Sequence, residues 1–306
     1  MFFVCVYLKN SGSIEGRKGG MMQMKKMIEL PFTYDFDHAL IRLAGDPVNA
    51  VDLEKKTVLI PREEGNLIIL RSVGTKERPI FEIDGALHEK QMNDIQEIFH
   101  FHQSLDEVKN HFLQTDLAPV FKAYEGMPLI RSFTLYGRLM KGIIHQQLNK
   151  AFANTLTLRF VEKYGRQIEG VWAYPNPETV AGITVSALRE MQFSERKAEY
   201  VIGLSQAISS GELDLNRLRE LEDAEVVEAL TTYRGVGPWT AQNFLLFGLG
   251  RANLFPLADV GLQNGLKKVW GMDRKPTKDE IAARFQDWSP YLSYAALYLW
   301  KSTEIK

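Results

Sequence analysis

The chain has 306 residues, 45% hydrophobic and 25% charged, with a formal net charge of −1 at pH 7. These values fit a soluble globular protein of two or three domains, and no apolar run is long enough for a membrane-spanning helix. Cys5 is the only cysteine, which excludes an internal disulfide and a cysteine-held zinc or iron–sulfur cluster, and fits a reducing, cytoplasmic compartment.

The charge is uneven along the chain. Residues 126–306 carry 22 Lys and Arg against 19 Asp and Glu, whereas residues 1–125 carry 15 against 19. The C-terminal part is the better partner for an anion, but this excess alone does not point to nucleic acid.

Residues 1–24 open with a short apolar run that no basic residues precede, a poor secretory signal. The Gly- and Ser-rich "SGSIEGRKGG" that follows reads as a flexible linker, and its "IEGR" resembles an engineered protease site. The stretch is expected to be a disordered tail, a mis-assigned start or a fusion remnant. From Ile28 to about Ile83, "MIELPFTYDF", "ALIRLA", "AVDLEKKTVLIP", "NLIILRSVG" and "PIFEIDG" alternate or run apolar between Gly, Pro, Asn and Asp, as strands and hairpins do. In "EKQMNDIQEIFHFH" and "LDEVKNHFLQT" the apolar period becomes helical. His100, His102 and His111 fall here without the Cys or carboxylate spacing of a metal site and read as helix-face histidines. Residues 25–125 thus predict a mixed α/β sheet domain.

Residues 126–306 predict an all-α domain, so the fold class is α+β. "SFTLYGRLMKGIIHQQLNKAFANTLTLRFVEKYG" gives one long helix or two, and "TVSALREM", "ERKAEYVIGLSQAISSG" and "LNRLRELED" follow as shorter ones. "DAEVVEALTTY" and "PWTAQNFLLFG" then flank the least helical knot in the chain, "RGVGP". Gly235 and Gly237 let the backbone reverse and approach a ligand closely. Pro238 opens a helix whose first amides have no partner within it. The knot therefore predicts a small anion site of backbone amides, suited to phosphate, that needs little net charge. A tight turn chosen for packing remains the competing reading. Asp259, in "RANLFPLADVGLQNGL", follows 22 residues after Gly237 at a predicted helix N-cap.

The segment "TTYRGVGPWTA" resembles the helix–hairpin–helix of DNA repair proteins, a backbone grip on DNA phosphates that does not read sequence. Hairpin, helix, loop and then a Pro-x-x-Asp at a helix start is similar to the signature of the HhH-GPD DNA glycosylases, and the match is greatest with the bacterial 3-methyladenine DNA glycosylase II type. "GIIHQQLNKAFA" and "YLSYAALYLW" extend the resemblance over about residues 126–302. It implies a base excision repair enzyme that binds damaged double-stranded DNA as a monomer in the bacterial cytosol. It also implies hydrolysis of the N-glycosidic bond of alkylated purines flipped out of the helix.

By the same resemblance Asp259 is the catalytic carboxylate, beside a sugar that becomes positively charged as the base departs. Trp239, Trp300 and Gln146 fall at the base pocket, where electron-rich rings suit an electron-poor or cationic base. Gly235, Val236, Gly237, Thr240 and Gln147 fall at the DNA, with Gln147 filling the gap left by the flipped base. The carbonyls of Thr231, Tyr233 and Val236 are placed to hold a monovalent Na+ or K+. Strand-cleaving relatives carry a lysine where this chain has Trp239, so hydrolysis without lyase chemistry is expected. Asn243 stands where an aromatic pocket residue is usual, Val260 replaces a tyrosine and Leu292 an arginine. A non-enzymatic DNA-binding module and a glycosylase for deaminated bases therefore stay open.

Overall fold

The computed structural model describes residues 5–9, 25–62, 64–85 and 89–304. Six antiparallel strands form one sheet in the order β1-β2-β6-β5-β4-β3. They are β1 (Cys5–Lys9), β2 (Lys25–Glu29), β3 (Ala50–Asp52), β4 (Thr57–Pro61), β5 (Leu67–Ser72) and β6 (Ile80–Asp84). Alternation sets the register: Val58 and Ile60, Ile68 and Leu70, and Phe81 and Ile83 turn to one buried face.

Two readings of this region are corrected. Cys5–Lys9, set aside with the tail, forms an edge strand in which Val6 pairs with Ile28. The rest of the expected tail lies outside the described residues. "ALIRLA" is not a strand but part of helix α1 (Phe36–Ala44). Phe36, Ala39, Leu40 and Leu43 recur at helical spacing and are all buried, and Asp35 caps the helix by accepting the His38 amide. Six residues were too short a window to separate a strand from this face.

Helices α2 (Glu89–Phe99), α3 (Leu105–Phe112) and α4 (Ala118–Ala123) complete the N-terminal part. The expected long helix is two, α5 (Leu135–Ile144) and α6 (Lys150–Tyr164). They are parted by a turn in which Gln147 takes a left-handed φ of 55°. The C-terminal region is not purely helical. A hairpin of β7 (Arg166–Ile168) and β8 (Val171–Ala173) follows α6. Then come α7 (Pro177–Ala181), α8 (Val185–Glu190), α9 (Glu195–Ser209), α10 (Asp223–Thr231) and α11 (Pro238–Phe244). A π-helical turn, Leu245–Leu249, extends α11. The chain closes with α12 (Val260–Val269), α13 (Lys278–Ala282), α14 (Phe285–Trp288) and α15 (Leu292–Glu304). "LNRLRELED" supplies only a 3-10 turn, Arg217–Arg219.

Packing groups these elements differently from chain order. One apolar core joins the sheet and α1–α4 to α12 and α15, and a second joins α5, α6 and α9–α11. The chain leaves the first lobe after Ile130 and returns to it at Leu246, so the cores do not part at residues 125 and 126. The return is tied by aromatic stacking. Phe121 lies between Phe112, at 4.0 Å, and Tyr298 of α15, at 3.9 Å. Tyr298 also accepts the Met127 amide through its hydroxyl oxygen. Asp116 accepts the indole N–H groups of both Trp270 and Trp288. These contacts fix α15 against the first lobe and thereby the position of Trp300.

Candidate active site

The hairpin runs from α10 through residues 232–237 into α11. Its two glycines do different work. Gly235 has φ +90°, and a Cβ there would sit 2.4 Å from the Tyr200 ring. Only glycine fits both the left-handed backbone and that approach. Gly237, the N-cap of α11, has φ −91° and nothing within 4 Å of where a Cβ would lie. Its surroundings are open, as a backbone surface that receives a ligand requires. Pro238 then occupies the first helical position, where its missing N–H leaves no bond unmade.

Gln146 braces this turn from behind. Its side-chain amide donates to the Gly235 carbonyl at 2.8 Å and to Thr240 Oγ1 at 3.1 Å. Gln146 thus holds the hairpin and does not line the cavity described below, which differs from its expected place in the pocket. Thr240 and Val236 are also buried as whole residues. Gln147, by contrast, is exposed at the tip of the α5–α6 turn.

Asp259 is the N-cap of α12. Its Oδ1 accepts the Leu262 amide at 2.9 Å and the Trp300 indole N–H at 2.9 Å. Both described hydrogen bonds fall on one oxygen, which leaves Oδ2 for chemistry. Two glycines that the sequence reading passed over make this possible. A Cβ on Gly261 would lie 3.0 Å from Asp259 Oδ1 and 3.2 Å from the Trp300 ring, and one on Gly265 would lie 3.1 Å from the Leu299 carbonyl. The G-x-x-x-G spacing of residues 261–265 therefore lets α12 and α15 approach closely enough for the indole to reach the carboxylate.

Asp259, Trp239 and Trp300 line a cavity of about 930 Å³ between the lobes. Trp239 is 50% exposed at its wall, too open for a packing residue, and Val260 beside the carboxylate is 56% exposed. Phe247 stands 6.0 Å from Trp300, centroid to centroid. Deeper groups are charged. Arg42 of α1 lies 3.7 Å over the Phe247 ring and Arg138 of α5 lies 5.2 Å over it. Arg138 also donates to Asn243 Oδ1 at 2.9 Å, and Asn243 donates to the Trp239 carbonyl at 3.0 Å. Burial and the neighbouring Arg138 charge push Arg42 down to about 9, and burial pushes Arg138 down to about 10, so both stay charged at neutral pH.

This geometry has counterparts among known proteins. Residues 140–290, which hold the hairpin and Asp259, match the HhH-GPD superfamily base excision DNA repair protein family. The chain is 45% identical to a putative DNA-3-methyladenine glycosylase of Bacillus subtilis (YfjP) over 285 residues, covering 92% of this chain and 99% of that protein. The chain belongs to the HhH-GPD superfamily. The whole fold agrees with two solved structures. A 3-methyladenine DNA-glycosylase from Archaeoglobus fulgidus superposes with a TM-score of 0.74 at 21% identity, covering 91% of this chain and 98% of that one. MBOgg1 in complex with a low-affinity DNA ligand gives 0.78 at 17%, covering 98% of each chain.

Within this HhH-GPD chain the family departures acquire structural places. Asn243 couples Arg138 to the first turn of α11. Val260 leaves an exposed aliphatic group at the start of α12, and Leu292 is buried in the first core. Arg42 and Arg138 carried no local sequence signal, because their shared ring and cavity come from segments far apart in the chain. His100 is not a helix-face residue. It is buried after α2 with φ 52°, and burial beside His102 and Arg131 pushes its imidazole down to about 3. No cluster of three or more His, Cys, Asp or Glu suited to a metal occurs among the described residues.

Proposed function

We propose that this DNA glycosylase is monofunctional: it draws a damaged purine out of duplex DNA and hydrolyses its N-glycosidic bond with water. Alkylated purines are its first substrate class. The hydrogen bonding of Asp259 carries the reading, since Oδ1 is held by a backbone amide and an indole while Oδ2 is left for the sugar and the water. As the C1′–N bond lengthens, the fixed carboxylate stabilises the positive charge that develops on the sugar. Oδ2 takes a proton from water as its oxygen bonds to C1′. An alkylated purine already leaves easily, so little acid assistance is needed. The indoles of Trp239 and Trp300 provide electron-rich surface for it.

The hairpin amides and the open face of Gly237 grip DNA phosphate, with Gln147 entering the space of the flipped base. The carbonyls of Thr231, Tyr233 and Val236 suit a Na+ or K+ ion, because only backbone oxygens are offered there. The Thr231 hydroxyl turns back to Val227, and the Tyr233 carbonyl accepts one amide and keeps a second lone pair. A bound ion would present positive charge towards phosphate. The absence of lysine at Trp239 supports release without a Schiff base.

The test is release of 3-methyladenine and 7-methylguanine from methylated duplex DNA. The parent should release them and Asp259→Asn should be slower by orders of magnitude. Borohydride should trap no covalent DNA adduct. Equal release by both proteins refutes the role of Asp259. DNA binding with no release refutes the enzyme in favour of a binding module.

A further inference from the structure

Residues 250–259 lead from the π-helical turn to Asp259 without regular structure. Left to itself, such a loop would let the carboxylate drift relative to the hairpin. Arg251 ties the loop to the hairpin's first helix instead. Its Nη2 donates to the Leu221 carbonyl at 2.6 Å and to the Arg219 carbonyl at 3.2 Å. Its Nε lies 3.0 Å from Asp223 Oδ1, close enough for an ion pair but not aligned as a hydrogen bond. These partners cluster at the N-terminal end of α10, which Asp223 opens. A helix N-terminus repels a cation. The guanidinium is held there by two carbonyls and a carboxylate, not by the helix dipole.

The backbone of Arg251 is fixed as firmly as its side chain. Its amide donates to the Leu245 carbonyl at 3.0 Å, where α11 passes into the π-helical turn. Its carbonyl accepts the Ser293 hydroxyl at 2.6 Å. Ser293 is fully buried in α15, and it also donates its amide to the Ala252 carbonyl at 2.9 Å and accepts the Leu254 amide at 3.0 Å. Trp300 follows Ser293 by close to two turns of α15. One face of that helix therefore holds both the start of the loop and the indole that meets Asp259. Arg251 itself lies outside the cavity wall. We infer that Arg251 is a positioning residue for base release: it sets the distance between the hairpin and Asp259, so that a grip on phosphate brings the carboxylate opposite the sugar of the flipped nucleotide. It touches neither base nor sugar and acts through Asp259. The grip does not depend on it, because Gln146 braces the hairpin from the other side.

The inference rests on the glycosylase reading, and the experiment separates the two. The parent, Arg251→Met, Arg251→Lys and Asp259→Asn would each be bound to two duplexes. One carries a neutral tetrahydrofuran in place of a nucleotide's sugar, the other a pyrrolidine with a cationic ring nitrogen. The ratio of the two Kd values reads how well a carboxylate faces the site of developing charge. A protein that is merely less stable loses affinity for both duplexes alike. The parent should prefer the cation, and Asp259→Asn should lose that preference. Arg251→Met should keep its affinity for the neutral duplex, while its preference for the cation and its single-turnover release of 7-methylguanine each fall roughly tenfold or more. Arg251→Lys, which can keep one carbonyl contact, should fall between. Should Arg251→Met melt below the assay temperature, Arg251→Lys carries the test with the same signs. An undiminished preference in the arginine variants overturns the inference and leaves the glycosylase intact. So does equal weakening on both duplexes, which would assign Arg251 to stability alone. A parent without preference for the cation and without base release overturns both readings.

Discussion

Trp300→Phe removes the indole N–H together with the pyrrole half of the ring that carries it. The ring stays beside Phe247, but the N–H that meets Asp259 Oδ1 at 2.9 Å is gone. Oδ1 then keeps only the Leu262 amide, and the carboxylate can turn about a single anchor. A hydrogen bond to a charged group contributes about 1.5–3 kcal/mol. If that contribution serves to aim the carboxylate at the transition state, kcat falls about 10- to 100-fold, while affinity for undamaged DNA is kept. Single-turnover base release measures the first and fluorescence anisotropy with duplex DNA the second. The effect should shrink in an Asp259→Asn background to the part that comes from the indole's contact with the base, because the N–H acts through the carboxylate. An unchanged rate in Trp300→Phe, or an equal loss in both backgrounds, would refute this role.

Gly261→Ala should slow base release without weakening DNA binding, since its methyl would press on both Asp259 Oδ1 and the Trp300 ring; retained activity would show that α12 and α15 can separate. The hairpin glycines should split by assay. Gly235→Ala should lower the melting temperature, as a left-handed residue pressed into Tyr200 costs about 1–3 kcal/mol, whereas Gly237→Ala should melt near the parent but bind duplex DNA more weakly. Stability should also fall on acidification. The His100 imidazole is held near 3 against a usual 6.5, so the unfolded chain binds its proton first as pH drops below 6.5. Each pH unit down to about 3 then removes up to about 1.4 kcal/mol. Thermal melts of the parent and of His100→Asn should show a shallower slope in the variant, with equal slopes assigning the loss to other groups.

Local chemistry was legible in the sequence wherever one segment suffices. The turn at Gly235, the Pro238 helix start and the Asp259 cap each depend on a few neighbouring residues. Short apolar runs were ambiguous, so "ALIRLA" read as a strand until its spacing with Phe36 was visible in three dimensions. Gln146 was placed at the base by likeness, yet its amide turns to the back of the hairpin. The pairing of Arg42 with Arg138 depends on two lobes closing over one cavity, and no local pattern records that. The spacing of Gly261 and Gly265 was present in the sequence, but its meaning required the partner helix.

The return of the chain to its first lobe also governs when activity can arise. During synthesis Asp259 appears some 40 residues before its indole partner, and α12 lacks the helix it packs against until α15 folds back. The hairpin belongs to the second core and needs neither of those helices. On the proposed reading, a growing chain therefore forms the hairpin that grips DNA before it forms the aimed carboxylate, and base release begins only when Trp300 is in place.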